Sequence, residues 1–385
     1  MASAPVAVQL LEKLVVGGAE NLAVRVAGGR AATGLPSLVY ALQGGGALGE
    51  RLSADVVLRE FGIGRSSVRW PPAFAASVWR GRRTLLHQLA ADRVDVVQTH
   101  LPEANFWGLL LARSGRVGVV ATVHNNLEFH YGDDDGPMRR ALRRRAYRAV
   151  IDRCDAVVTV SAAVRDSLVA ALDLPARAAD RLVVVPNGVA VPPPREGVRE
   201  AVRRELDVPA DEPLLLGAGR LTAQKNFGDL VDLAAGLRDR GVAATTIIAG
   251  EGEDRPALEA RVVERGLAGR VHLLGVRDDL DRLLQAADLF VLSSRWEGLP
   301  LVLLEAMAAR CPVAGYAIAG TRDVIDDGRH GVLAPVGDVP RLTGLVADLL
   351  ADPARRERMG REARCLVRDH HDIDQVVARL NDLYA

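Results

Sequence analysis

The chain has 385 residues, too many for one ordinary core and enough for two domains of roughly 150–200 residues each. Its 49 basic residues balance 49 acidic ones, so the formal net charge is zero, which argues against nucleic acid as a main partner because such binders carry a basic excess. Hydrophobic residues at 49% and charged residues at 25% are those of a soluble globular protein, and no run approaches the ~20 apolar residues of a membrane span. The three cysteines, Cys154, Cys311 and Cys365, are far apart and suggest neither a disulfide framework nor a zinc site. The first residues lack the basic start of a signal peptide, so a cytoplasmic location is expected.

Short apolar runs alternate with longer amphipathic segments. Residues 6–11, 37–42, 94–99, 117–123, 156–160 and 182–185 read as buried strands, with helices between them, for example over 19–32 and 139–152. Pro192, Pro193 and Pro194 can continue neither a helix nor an inner strand, so 191–197 reads as a linker. Strands then return at 213–218, 245–249, 271–274, 289–293, 312–315 and 331–334, and 339–384 is helical with breaks near Asp352 and near 370–373. The expected fold class is α/β: two tandem doubly wound Rossmann-like domains, 1–190 and 198–365, facing a central cleft. A helix over 366–385 is expected to pack back on the first domain. Ligands of such sheets bind beyond the carboxyl ends of the strands, so the loops after strands are the places to look for chemistry.

In the first half, Gly17 and Gly18 close the first strand. They read either as a tight strand–helix turn or as backbone that meets an anion at a helix start. The run from Gly44 to Gly49 matches G-x-G-x-x-G but follows the second strand, and it reads as a turn. His124 ends the strand at 117–123 and is expected to meet a ligand. His100 ends the strand at 94–99 and is expected to be structural. Asp133, Asp134 and Asp135 have metal-binding spacing, but they read as an acidic lead-in favouring the dipole of the helix that follows. That helix carries Arg139, Arg140, Arg143, Arg144, Arg145 and Arg148, a solvated face or a weak hold on anionic lipid.

In the second half, a strand–helix loop runs from Gly217 through Gly219 to Asn226 and carries Arg220 and Lys225. Two cations there can face one diphosphate, Arg with a planar fork and Lys with a point charge, or stand solvated. The only other lysine in the chain is Lys13. A loop cation is expected to carry little stability. Further on, Glu297 and Glu305 are eight positions apart where a strand enters a helix, with Pro300 expected at the first helical position. Glu305 interrupts an apolar run, and a carboxylate there needs a partner: a sugar hydroxyl, a ribose, or an internal ion pair such as one with Arg220.

These motifs fall in order over most of the chain: Gly17-Gly-Ala-Glu20, Ala121-Thr-Val-His124, Val185-Pro-Asn-Gly-Val189, the Arg220/Lys225 loop, Ala249-Gly-Glu-Gly252, Val271-His-Leu-Leu-Gly275 and the Glu297/Glu305 pair. Together they resemble family 4 of the retaining glycosyltransferases, with the GT-B fold. The resemblance implies that Arg220 and Lys225 hold the diphosphate of a UDP- or GDP-linked sugar, Glu305 the ribose and Glu297 the sugar hydroxyls. It implies backbone contacts from Gly17, Gly18, Gly219, Gly298 and Leu299, base contact at Val276, and a sugar contact by His124. His124, Arg220, Lys225 and Glu297 would then be the catalytic set. No metal and no cofactor are implied, because the two cations and a helix N-terminus take the metal's place. The acceptor would be a sugar, a lipid-linked molecule or a small molecule, in cell-envelope glycan or secondary-metabolite synthesis. Trp70, Phe129 and Tyr131 are candidates to meet it, with a peripheral position at the inner membrane face through the basic helix.

Two positions depart from the family pattern. Gln224 stands where an acidic residue usually precedes the lysine, and Asp323 stands where a glutamate is common. Two other function classes fit the scaffold. A nucleotide-sugar epimerase or hydrolase needs an acid/base set for which His124 and Glu297 alone are thin. A non-catalytic nucleotide-sugar-binding protein has no need of both intact pairs.

Overall fold

A computed structural model describes residues 4–63, 71–125 and 136–385. The acidic run 133–135 and Trp70, Phe129 and Tyr131 lie outside these residues. The chain forms two units, Met1–Asn187 with Ile373–Ala385, and Gly188–Asp372.

The first unit is built on seven parallel strands: β1 (Ala7–Leu11), β2 (Ser37–Ala41), β3 (Val57–Glu60), β4 (Val96–His100), β5 (Gly118–Val123), β6 (Ala156–Thr159) and β7 (Leu182–Val184). Their order is β3-β2-β1-β4-β5-β6-β7. Every residue of β1, β2 and β4 is buried, as expected of parallel strands with helices on both faces. The strand β3 has no counterpart in the sequence reading. It pairs with β2 alone at the sheet edge, and most of its residues are exposed, so it shows no apolar run.

The second unit has six parallel strands: β8 (Leu214–Ala218), β9 (Thr245–Ala249), β10 (Val271–Gly275), β11 (Leu289–Leu292), β12 (Val313–Tyr316) and β13 (Val332–Ala334). Their order is β10-β9-β8-β11-β12-β13. In both sheets the order reverses beside the first strand, between β1 and β4 and between β8 and β11. That reversal opens a crevice at the strands' carboxyl ends, the usual ligand position.

The proline run is not a free tether. Pro192 accepts from Arg364 at 2.8 Å, Arg195 N–H donates to Gln285 at 3.0 Å, and Val189 N–H donates to His371 O at 2.9 Å. These contacts place 191–197 within the second unit. Helix Val198–Glu205 follows and is clamped to the start of β8, because Asp288 receives Arg199 at 2.6 Å, Arg203 at 3.2 Å and the Leu214 N–H at 2.8 Å.

Residues 366–370 belong to helix Pro353–His370, so the last helix is Ile373–Tyr384 rather than 366–385. It rejoins the first unit through a stripe of Val376, Val377, Leu380 and Tyr384. Burying each of the aliphatic three is worth roughly 1.5–3 kcal/mol. Helix Gly18–Ala32 receives it closely: a Cβ at Gly29 would stand 2.8 Å from Val377 Cγ2. The fully buried Arg30 bonds Asn381 and the Pro5 carbonyl, and its guanidinium lies 5.1 Å from the centre of the Tyr384 ring.

Candidate active site

In the second unit the loops after β8 and β11 flank the strand reversal. The Gly219 N–H donates to Ala249 O at 3.0 Å, and Gly250 N–H to Gly275 O at 2.7 Å. Gly219 and Gly250 both have φ +149, and a Cβ on Gly250 would strike the Gly219 carbonyl. Side chains are excluded there, so the strand ends form a bare backbone shelf beside Val276, which is 57% exposed.

From that shelf the β8 loop turns back. Lys225 and Asn226 N–H groups both donate to Thr222 O, and Asn226, in the left-handed region, precedes helix Phe227–Asp239. The turn is stitched to the β11 loop. Arg295 N–H donates to Gln224 O at 2.9 Å, and Ser293 Oγ donates to Lys225 O at 2.8 Å. At the centre, Lys225 Nζ lies 2.5 Å from Glu297 Oε1, and Gln224 Nε2 donates to Glu297 Oε2 at 3.3 Å. A neutral amide at 224 therefore bonds Glu297, where a second carboxylate would repel it. Lys225 is thus an ion-paired, mostly buried cation, so the alternative that it stands solvated does not hold.

Around this pair, Arg220 is exposed at the start of the loop. Gly298 and Leu299 are buried and lead into helix Leu301–Ala308, whose positive end favours an anion. Pro300 is the residue before that helix, not its first position. Glu305 is half-buried within it, and Asp323 is exposed after helix Ala319–Arg322. A Cβ at Gly320 would stand 2.6 Å from Gly298 O, so the segment after β12 backs the same loop.

In the first unit, Gly17 is the extended residue before helix Gly18–Ala32. The turn from Gly44 to Gly49 packs on the loop after β1, with Leu48 N–H donating to Leu14 O at 3.1 Å. His124 follows β5, and its Nε2 lies 2.9 Å from Nδ1 of His100, the last residue of β4. His100 is fully buried and His124 partly so. Burial pushes the His100 pKa well below the ordinary 6.5, with a smaller push from His124, and burial lowers His124 to about 4. Both rings are neutral at pH 7. His100, expected to be structural only, is therefore bonded directly to the candidate sugar contact. Gln9 and Gln98, polar residues inside the buried strands β1 and β4, were legible signals of this polar cluster that the sequence reading passed over.

Among the described residues no group of three or more His, Cys, Asp or Glu side chains is arranged to hold a metal. Nor is any helix there long and apolar enough to cross a membrane.

Residues 16–191 match the family described as glycosyltransferase family 4, and residues 198–365 match glycosyl transferases group 1. A D-inositol 3-phosphate glycosyltransferase of Xylanimonas cellulosilytica is 32% identical over 308 residues, 76% of this chain and 72% of the relative. The chain belongs to glycosyltransferase family 4. An alpha-D-kanosaminyltransferase of Streptomyces kanamyceticus is also similar to this family 4 glycosyltransferase, with 28% identity over 319 residues, 82% of each chain. Anabaena HepE, solved in complex with UDP-glucose, shares the fold with a TM-score of 0.83 at 20% identity, over 98% of this chain and 99% of that one. The family 4 chain thus has the GT-B fold, two parallel sheets each with its own strand reversal.

Proposed function

We propose that this glycosyltransferase moves a hexose from a UDP- or GDP-linked donor to an acceptor hydroxyl, with retention of anomeric configuration and without a metal. The Lys225–Glu297 pair at the strand reversal of the second sheet carries this reading. One loop supplies the cation for a diphosphate and the other the carboxylate for sugar hydroxyls, already at contact distance. Arg220 adds a planar fork to the diphosphate, Glu305 takes the ribose, and backbone at Val276 takes the base. Amides at Gly298, Leu299 and Gly219, and the turn at Gly17 and Gly18, approach phosphate or sugar, and His124 meets the sugar. As the anomeric bond breaks, negative charge grows on the leaving phosphate. Fixed cations and the helix N-terminus stabilise that charge, at roughly 3–4 kcal/mol per contact.

UDP is the favoured carrier, supported by the UDP-glucose bound in Anabaena HepE. The inositol-phosphate and kanosaminyl transferases among the relatives support a polyhydroxylated acceptor, in cell-envelope glycan or secondary-metabolite synthesis. A thermal-shift panel of UDP-glucose, UDP-N-acetylglucosamine and GDP-mannose tests the donor, and NMR of the product tests its anomeric configuration. Stabilisation by UDP-sugars and a product with the donor's configuration are expected. An inverted product overturns retention, and rapid epimer or free-sugar formation without acceptor supports an epimerase or hydrolase instead.

A second element of the proposal is a weak, peripheral hold on anionic lipid at the cytoplasmic membrane face. On helix Pro137–Arg153, Met138 is 77% and Leu142 61% exposed, one turn apart, beside exposed Arg140, Arg144, Arg145 and Arg148. Apolar residues set among arginines suit the boundary between headgroups and acyl chains.

A further inference from the structure

Gln224, the half-buried residue before Lys225, departs from the family pattern and bonds three successive residues of the β11 loop. Its main-chain carbonyl accepts from the Arg295 N–H at 2.9 Å. Its side-chain amide donates to Trp296 O at 3.0 Å and to Glu297 Oε2 at 3.3 Å. A main-chain carbonyl and a carboxylate facing an ammonium both only accept. Both amide hydrogens are therefore spent on the β11 loop, and the amide cannot be turned round.

Lys225 Nζ lies 2.5 Å from Oε1, the other oxygen of the same carboxylate. Neighbouring residues of one loop thus hold the two oxygens of Glu297, which is itself buried. The main chain beneath is held as well: a Cβ at Gly320 would stand 3.1 Å from Glu297 O and 2.6 Å from Gly298 O, so a side chain there would displace it. A carboxylate held at one oxygen can still turn about its last torsion, which is broad for glutamate. Held at both, its plane is set. An ionised carboxylate offers about four lone-pair sites, and Lys225 and Gln224 take one on each oxygen. A second site on each oxygen is left for hydroxyl donors.

We infer that Gln224 is a positioning residue that fixes the plane of the Glu297 carboxylate, so that its remaining lone pairs meet the hydroxyls of the donor sugar. This rests on the proposal that Glu297 binds those hydroxyls. By this inference the two neighbours divide the donor between them. The Lys225 ammonium has three hydrogens, enough to pair with Glu297 and to meet the diphosphate. Gln224 serves the sugar alone, and it can do so because a neutral amide has hydrogens to give where an ionised carboxylate has none.

Gln224→Met tests this, since it keeps the length of the side chain and the main-chain bond to Arg295 and removes the side-chain donor. Calorimetric titration should give UDP the same Kd for variant and parent, because the diphosphate is assigned to Arg220 and Lys225. The Kd of UDP-glucose should rise roughly tenfold, the scale of one hydrogen bond to a charged group. On a Glu297→Ala background the same change should leave both values where they stand, because the amide acts through that carboxylate. UDP and UDP-glucose weakened alike would make Gln224 a support of the loop in general and overturn the inference, as would a further loss on the Glu297→Ala background. Gln224→Ala has no bulk to accommodate and should reproduce the split if Gln224→Met does not fold. The reading beneath is tested by Glu297→Ala alone: if it binds UDP-glucose like the parent, the sugar contact fails and the inference with it. A weakened Glu297→Ala beside an unaffected Gln224→Met overturns the inference and leaves the sugar contact standing.

Discussion

Lys225 and Glu297 face each other across the strand reversal of the second sheet, Nζ to Oε1 at 2.5 Å, with side chains only 17% and 10% exposed. One stands on the loop after β8 and the other on the loop after β11. Without ligand each neutralises the other, so the same residues that are proposed to meet the donor also hold the two loops in register. Exposed ion pairs are worth about 0–1 kcal/mol. A pair this enclosed behaves differently, because removing one member strands the other away from water.

Lys225→Ala should therefore harm both stability and catalysis. Loss of the ammonium leaves Glu297 with Gln224 as its remaining side-chain donor among the bonds described here, at a cost of about 1–3 kcal/mol. The kcat should fall roughly 100-fold or more, the scale of one lost contact to transition-state charge. Adding Glu297→Gln should recover stability but not turnover. Arg220→Ala, at an exposed position, should change stability by under about 0.5 kcal/mol while kcat still falls. Urea melts and initial rates on the four proteins decide this. Equal stability losses from Arg220→Ala and Lys225→Ala would show that the pair holds nothing together.

Much of this architecture was legible in the chain because parallel strands buried on both faces are unbroken apolar runs. Residues 245–249 were placed closely for that reason, and the helix break near Asp352 because Pro353 cannot continue the helix before it. The edge strand β3 escaped, since exposed residues carry no such run. In the site, the loops bearing Lys225 and Glu297 were found by residue type and spacing. Their direct pairing was not, because contact between loops 72 positions apart depends on the β8–β11 neighbourhood, which only topology supplies. The same holds for His100 and Tyr384: nothing in their local sequence says that both bond the Gln9 side chain inside the first sheet.

Turnover should survive EDTA. The charge on the leaving diphosphate is assigned to Arg220, Lys225 and the N-terminus of helix Leu301–Ala308. Rates measured with and without chelator, then with added manganese or magnesium, check it. Complete loss in EDTA that either ion restores would move the charge onto a metal and bring Asp133, Asp134 and Asp135 forward as its ligands.

Vesicles containing phosphatidylglycerol should retain the protein at low salt and release it as ionic strength rises, because screening weakens attraction between arginines and headgroups. Neutral phosphatidylcholine vesicles should retain little. Met138→Glu with Leu142→Glu should abolish retention while leaving UDP-glucose turnover in solution unchanged. Co-sedimentation measures all three, and retention that is indifferent to lipid charge would rule out the basic helix as the anchor.

Stability should fall as pH drops from about 6.5 towards 4, and the histidine pair gives the sign. His124 has a folded pKa of about 4, below its unfolded value of about 6.5. Between those values the unfolded chain binds more protons than the folded one, so unfolding is favoured as pH falls and stability is regained as pH rises. That gap corresponds to at most roughly 3.4 kcal/mol from His124. His100 and His330, also lowered by burial, act in the same direction. Asp92 is held down to about 2, chiefly by its hydrogen bond from Arg59, so its loss begins only below about pH 4 and leaves the histidine window clear. Urea midpoints at pH 7 and pH 4.5 should thus differ, and the difference should shrink in His124→Ala. A stability that stays flat from pH 7 to 4.5 would mean that the two rings accept protons inside the fold, and the neutral His100–His124 pair described above would not hold.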